Sequence, residues 1–540
     1  MLKVFLSLMF LISIFSTTAW GQSVTIEQLS PSDAAKTPEY SENLSLMSKV
    51  YVKNFRFTGN TVFTSAELRK LAFPYENREI TFEELERLRQ ELSLYYINKG
   101  YLNSGVIIPD QKVVNGSITL TVIEGKLNQI EIEGLKHFRK GYITSRLANA
   151  AETPVNIGRL QEALQLLQQD PRIKRINAEF KPSSALGEGG LEVKIEEASP
   201  YMVLLAFNND AAPSTGAYRG ELGFAHQNLL GYGDILAANF GLTEGTKDVN
   251  ANYTTPVNSK DTALGFYYRT GDSIVIEPLF DGLDIKSEST TYGFSVRQPL
   301  KKTFRTELAL SFAAEVRQSR TSLLGRGFSF SPGADEGKSK ESVIRFSQEW
   351  LERTESTVFA AHSTFSLGID AFGATVHDSA EADGRFVSWL GQTLLIKRVG
   401  ESASQFVLKA DMQLANDSLL SIEKFSLGGM NRVRGYRKDL LVRDNGLNSS
   451  AEFRMPVLVN GKGGTILQIV PFFDFGWAWN NKTETPEPRT IYSIGLGLKW
   501  NPIEKVNLDL FYGQGLRKIS NKGDDLQDRG LHFLLSWQVM

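Results

Sequence analysis

The sequence predicts two small α+β modules followed by an all-β transmembrane barrel of about sixteen antiparallel strands. Three observations predict it. A nine-residue pattern near the N-terminal end returns about 75 residues later, the mark of a duplicated unit. After Pro200, helical periodicity gives way to an alternation of apolar with polar or small residues. The connections between the alternating runs are themselves alternately long and short, which suits a barrel whose two rims face different compartments.

Before the repeat come two segments that belong to neither domain type. Residues 1–21 carry a basic start (Lys3), an apolar run from Val4 to Phe15, and small residues at Ala19 and Gly21. That is the pattern of a cleaved signal peptide, with Gln22 opening the mature chain. The alternative, an uncleaved anchor, suits it less well because the apolar run is short for a spanning helix. No later stretch approaches that length either, so the exported chain enters a membrane only as strands. Residues 22–48 are polar, hold Pro31 and Pro38, and read as a linker.

The repeat itself pairs FRFTGNTVF (Phe55–Phe63) with IEIEGLKHF (Ile130–Phe138): alternating apolar residues, a glycine, then an aromatic four residues on. Each copy continues in the same order. In the first module, residues 49–126, Thr64–Glu67 and Thr81–Glu84 both fit the capping box that opens a helix. Leu85, Leu88, Leu92 and Tyr96 then form one apolar helical face that stops at Gly100, and strands follow around Ser104–Gln111 and Ser117–Glu124. In the second, residues 127–199, Leu160, Leu164 and Leu167 mark a helix halted at Asp170-Pro171, with strands over Ile173–Phe180 and Leu191–Ile195. Both read β-α-α-β-β, a unit whose sheet edge can accept a further strand from a partner.

Residues 200–540 form the barrel. Leu308, Leu310, Phe312 and Ala314 share one face against Glu307, Ser311 and Glu315. Tyr292, Phe294 and Val296 oppose Gly293, Ser295 and Arg297, and Val506, Leu508, Leu510 and Tyr512 oppose Asn507, Asp509 and Gly513. Such strands fit a half-buried sheet or a wall between lipid and a wet lumen. Loop lengths decide for the wall: long connections at 271–290, 316–341, 371–384, 414–448, 480–490 and 515–529 alternate with short ones such as NLLGYGD, NGKGG and NPIEK. A soluble sandwich has no reason to segregate its loops this way.

These features resemble the outer-membrane transporters of two-partner secretion (the ShlB/FhaC/HecB type) within the Omp85 superfamily. Gly100–Leu127 is similar to the end of that family's first POTRA module, Asn228–Asp234 to its first periplasmic turn, Gly428–Arg437 to its sixth external loop, and Phe472–Gly476 to the F-x-D-x-G motif of its thirteenth strand. The resemblance implies two periplasmic POTRA modules and an outer-membrane barrel that recognises an exported haemolysin- or adhesin-type exoprotein and secretes it through its lumen. It implies three partners: that exoprotein, outer-membrane lipid, and the barrel assembly machinery. The nearest alternative is an insertase or assembly factor of the same superfamily, which usually carries more POTRA modules; a passive porin leaves the modules without a purpose. Two departures stand out. Family barrels often end in phenylalanine, whereas here Val539 holds that place and Met540 follows, although the alternation Leu531, Phe533, Leu535, Trp537, Val539 survives. Some relatives also carry an N-terminal plug helix, and residues 22–48 contain no long amphipathic helix.

Enzymatic readings find no support. The chain lacks the G-x-S-x-G, H-E-x-x-H and Walker A patterns, and its five histidines are scattered without metal-ligand spacing. With no cysteine, disulfides, thiol nucleophiles and cysteine metal sites are excluded, and a net charge of −2 gives no support to a nucleic-acid partner. No catalytic, cofactor or metal site is expected. One cluster does carry a specific expectation. NRVRGYRKD (Asn431–Asp439) puts four basic side chains into nine positions. On the thirteenth strand, alternation turns Phe472, Asp474 and Gly476 to the lumen and Phe473, Phe475 and Trp477 to lipid. A carboxylate on a partly filled inner wall is costly to leave unpaired. The family resemblance identifies Arg434 as its partner, on a loop folded down into the barrel, with Gly435 allowing a tight turn, Tyr436 packing on the wall and Val433 completing the motif. Arg432, Arg437 and Lys438 read as solvated loop charges.

Overall fold

The computed structural model describes Leu44 and residues 48–540, apart from 184, 279, 379–381, 401–402, 462–463 and 520–522. The expected signal peptide, and the linker save Leu44 and Ser48, lie outside the described residues. The chain divides into two compact units, with the boundary in sequence between Ala198 and Ser199.

The first unit holds the duplicated modules. One copy runs β2 (Asn54–Thr58), α1 (Ser65–Ala72), α2 (Phe82–Asn98), β4 (Gly105–Ile107) and β5 (Ser117–Ile123), preceded by a short β1 (Lys49–Val52) that pairs with β3 (Arg78–Thr81). The other runs β6 (Lys126–Glu133), α3 (Lys140–Ala150), α4 (Ile157–Gln168), β7 (Ile173–Pro182) and β8 (Glu188–Glu197). The sheet orders correspond, β2-β5-β4 and β6-β8-β7, with the first strand parallel to the last in each. Both capping boxes form: the Thr64 and Thr81 side chains each accept from the backbone three residues on, while Glu67 and Glu84 reach back. Leu85, Leu88, Leu92 and Tyr96 are buried along one face of α2, each contributing about 1.5–3 kcal/mol. The β1–β3 ribbon has no sequence signal of its own, being four residues a side.

The repeated glycine now has a physical reason. Gly59 and Gly134 take φ of +78° and +83°, and a Cβ on them would lie 2.3 and 2.2 Å from the carbonyl oxygens of Val122 and Ile195. Just after each glycine, backbone amides converge on a carboxylate at the end of the last strand, Glu124 one residue past it and Glu197 its final residue. Thr61 and Val62 donate to Glu124 at 2.7 and 2.9 Å, and Lys136, His137 and Phe138 donate to Glu197 at 2.8, 2.8 and 3.0 Å. The repeat therefore encodes a loop pinned to its own sheet.

The second unit is a closed antiparallel barrel. Sixteen strands span it, because the two-residue element Arg326–Gly327 only extends the hairpin between the seventh and eighth. Outward faces expose Phe312, Phe346, Trp350, Phe365, Trp477 and Trp537, while Glu315, Asp474 and His532 are buried inside. Alternation thus separates outward apolar from inward polar side chains, the pattern of a membrane barrel. Several strands are much longer than the sequence suggests: Lys286–Lys302, Thr306–Leu323 and Lys338–Arg353 have 17, 18 and 16 residues. About 9–11 residues suffice to cross the bilayer, so their ladders continue beyond it. Those extensions are rich in Ser, Thr and charge, which disguises them as loop. One far-rim connection, 243–245, is a tight turn closed by Thr243 N–H to Thr246 O at 2.8 Å, an exception to the expected loop-length pattern.

Candidate functional site

The sixth far-rim connection, residues 416–444, turns inward. It is a hairpin, with Phe425–Leu427 antiparallel to Leu441–Arg443, and its tip is closed by Gly429 N–H to Tyr436 O at 3.0 Å. Phe425, Leu427, Val433, Tyr436 and Leu441 form a small apolar core with Ala478 and Ile491 of the barrel wall. A loop with its own core can be held as a body rather than as a string of contacts.

Arg434 stands at the tip. Its Nε and Nη2 donate to the two oxygens of Asp474 at 2.8 and 2.7 Å, and its backbone N–H adds a third bond at 3.0 Å. Nη1 donates to Glu452 Oε1 at 2.9 Å and Nη2 to Ser450 Oγ at 2.9 Å. The guanidinium lies 3.6 Å from the centroid of Phe472 and 4.8 Å from that of Phe511. Adjacent strands place these groups together: on the twelfth (Asn445–Val459) and thirteenth (Thr465–Trp479), Ser450 faces Asp474 and Glu452 faces Phe472. With Arg434 and Asp474 at 3% and 0% exposed, this is a desolvated, fully bonded ion cluster.

The remaining motif positions serve the same seat. Gly435 has φ +88°, and a Cβ there would lie 2.6 Å from Gly513 O, so backbone touches backbone. Its N–H donates to His532 Nε2 at 3.0 Å. A Cβ on Gly476 would meet Leu427 and Val433 methyls at 2.9 Å each, so that glycine makes room for the loop core. The Tyr436 hydroxyl lies 3.0 Å from Tyr492 O and accepts from Arg517 N–H at 3.0 Å. Arg434, Asp474, Val433, Gly435, Tyr436, Phe472 and Gly476 thus come together in one place.

The reading of the other basic residues as solvated is corrected. Arg437 is paired with Asp528 at 2.7 Å and with Glu277 at 3.0 Å. Lys438 Nζ donates to Asp210 O at 2.8 Å, and Arg432 lies 4.3 Å over the Phe425 ring. Neighbouring rim loops carry the partners of Arg437 and Lys438, and their closeness was not readable from sequence. Four residues of the Arg434 site were also missed. Glu452, Ser450, His532 and Phe511 could all have been found by applying alternation to their strands, Phe511 by its shared parity with Asn507, Asp509 and Gly513 although an apolar residue on that face runs against the apolar-out rule.

Residues 187–500 match the family model of the haemolysin secretion/activation proteins ShlB/FhaC/HecB, and residues 50–125 match the ShlB-type POTRA domain. The chain belongs to this family. As a member of the ShlB/FhaC/HecB family it is a two-partner secretion pore of the outer membrane with POTRA structure in the periplasm, and its family is one of transporters rather than enzymes. The heme/hemopexin transporter protein HuxB of Haemophilus influenzae (strain 86-028NP) is 22% identical over 505 residues, spanning 87% of this chain and 84% of that one. CdiB from Escherichia coli has the same fold with a TM-score of 0.69 and 19% identity, covering 93% of each chain. CdiB from Acinetobacter baumannii gives 0.66 and 18%, covering 99% and 96%.

Proposed function

We propose that an extended exoprotein is captured by strand addition at the periplasmic modules, residues 49–126 and 127–199, and crosses the lumen of the barrel, residues 200–540, once the sixth loop has moved. The Arg434–Asp474 pair is the fixture that holds the loop in its working position. The observation that carries this reading is the loop seat: a guanidinium buried deep in the lumen, bonded to two carboxylates of the wall. Strand addition is supported by the second module, where, among the described residues, β6 and β7 each pair with β8 alone and leave their outer edges open. Folding of a haemolysin- or adhesin-type passenger outside the cell supplies the drive. The outward apolar band rests in outer-membrane lipid, and the barrel assembly machinery inserts it.

Co-expression with large exported proteins tests the reading. A passenger that reaches the medium or cell surface only when this chain is present supports it. No secreted passenger, together with defective assembly of other barrels, refutes it in favour of an insertase.

A further inference from the structure

The sixth loop has a second charged foothold on the wall, with the polarity reversed. At the base of the loop hairpin Glu423 projects a carboxylate into strands seven (Thr306–Leu323) and eight (Lys338–Arg353). Arg345 Nη2 and Nη1 donate to Glu423 at 2.6 and 3.3 Å, and Arg317 is ion-paired to the same carboxylate. Arg345 is completed by Glu315 at 3.0 Å and Ser366 at 2.6 Å, and Glu315 accepts from the Tyr267 hydroxyl at 2.6 Å. This foothold lies five strands of sixteen from the Arg434 seat. At the tip the loop offers the cation; at the base it offers the anion.

A third carboxyl group sits beside it without a bond. Glu341 is fully buried, and neither of its carboxyl oxygens has a hydrogen-bond partner among the described residues. It lies on the same inner face as Arg345, four residues before it on strand eight, and directly across the ladder from Arg317. A buried, unbonded carboxyl group is an uncompensated cost of the seated state. Arg317 has a wall carboxyl group opposite it in register and yet bonds to the loop.

We infer that Glu423 is a second positioning residue of the sixth loop, and that Glu341 is the wall group that takes over its partner Arg317 when the loop leaves. Withdrawal of Glu423 strips Arg345 and Arg317 of an acceptor inside the lumen, where an unpaired guanidinium is expensive. Glu341 removes that cost by turning to Arg317, and gains the bonds it lacks while the loop is seated. The exchange makes the loop releasable: seating satisfies Glu423 at the expense of Glu341, and release does the opposite. The two glutamates, though neighbours, therefore bias the loop in opposite directions.

The inference rests on the loop movement proposed above, and the experiment separates the two. Openings of the purified barrel in planar lipid bilayers are counted for wild type, Arg434→Ala, Glu423→Gln and Glu341→Gln, with heat-modifiable gel mobility confirming that each barrel is folded. Glu423→Gln is expected to raise opening about tenfold, and Glu341→Gln to lower it by a comparable factor, the scale of one charge-assisted hydrogen bond. Two glutamates acting only as structural supports would shift opening in the same direction. Should Glu341→Gln fail to assemble, Glu341→Leu removes the same replacement partner at similar volume and must also lower opening. Same-sign shifts, or no effect of Glu341, overturn the inference while Arg434→Ala still raises opening. If Arg434→Ala leaves opening unchanged, the loop-movement reading itself fails.

Discussion

Replacing Arg434 by alanine deletes four side-chain hydrogen bonds and two ring contacts while leaving the backbone bond of residue 434 to Asp474. Asp474 is then buried with a single donor from the loop, whereas Glu452 keeps both of its bonds from Arg454, at 3.0 and 2.8 Å. Breaking a buried ion pair by removing one member costs about 3–5 kcal/mol. Taking about 3 kcal/mol against the seated loop shifts its equilibrium by about two orders of magnitude. Asp474→Ala is milder, because Arg434 keeps Glu452 and Ser450, and Glu452→Gln is milder still, because an amide oxygen remains to accept. Arg434→Lys falls between, with the charge kept and the two-pronged fork lost. The expected order of secretion defect per assembled barrel is Arg434→Ala, then Asp474→Ala, then Glu452→Gln. Passenger in the medium is measured against folded barrel in the outer membrane. Wild-type secretion by an assembled Arg434→Ala barrel would refute the reasoning, and so would an Asp474 defect larger than that of Arg434.

Three further outcomes follow from the same geometry. Gly435→Ala is expected to impair secretion more than Gly476→Ala, because the first Cβ meets backbone at 2.6 Å and the second meets movable methyls at 2.9 Å; both are read in the secretion assay. Gly134→Ala should lower the thermal midpoint of the periplasmic fragment 22–198, since its Cβ falls 2.2 Å from Ile195 O at a φ of +83°, and circular dichroism melting measures it. Acid should destabilise the same fragment. Burial pushes the Glu124 and Glu197 carboxyls up, but the donors around them prevail and hold both below the ordinary value. Their contribution is therefore present above the unfolded carboxylate pKa of about 4.3 and is lost as pH falls through the lower folded value. Melting from about pH 6 to about pH 3 should show the loss, and Glu124→Gln with Glu197→Gln should flatten that limb.

What the sequence disclosed followed from rules of local period. Strand alternation placed Asp474 and Phe472 in the lumen without knowledge of any partner, and helical spacing fixed the buried face of α2. The repeat predicted two like modules, and its glycine proved to be the point where a Cβ would strike a neighbouring carbonyl. The remainder depends on contacts between distant segments, which no local period records. Gly435 donates to His532, 97 residues on, and Lys438 reaches Asp210, 228 residues back. Phe511 was hidden for another reason: parity with Asn507 and Asp509 turns it inward, whereas its hydrophobicity alone argues for lipid. Strand ends were hidden because ladders continue past the bilayer in polar sequence.

A charged seat is also a physical answer to what the loop must do. Replacing a buried ion pair by well-packed apolar residues is often neutral or stabilising, so stability alone does not explain Arg434 and Asp474. The difference lies in the released state. An apolar tip withdrawn from its seat would present sticky surface to an unfolded chain passing through the same lumen, whereas a guanidinium and a carboxylate become hydrated and leave the path clear. The seated loop packs Val433 and Leu427 into one small apolar core with Ala478 and Ile491 of the wall, and its other footholds there, at Arg434 and Glu423, are charged. The double variant Arg434→Met with Asp474→Leu tests this directly, because Glu452 retains Arg454 and no carboxylate is orphaned. Its barrel should assemble and stay as closed as wild type in planar bilayers, yet secrete poorly. Wild-type secretion by that variant would show that any close-fitting contact serves, and that the charges of the seat are not what the passage of the passenger requires.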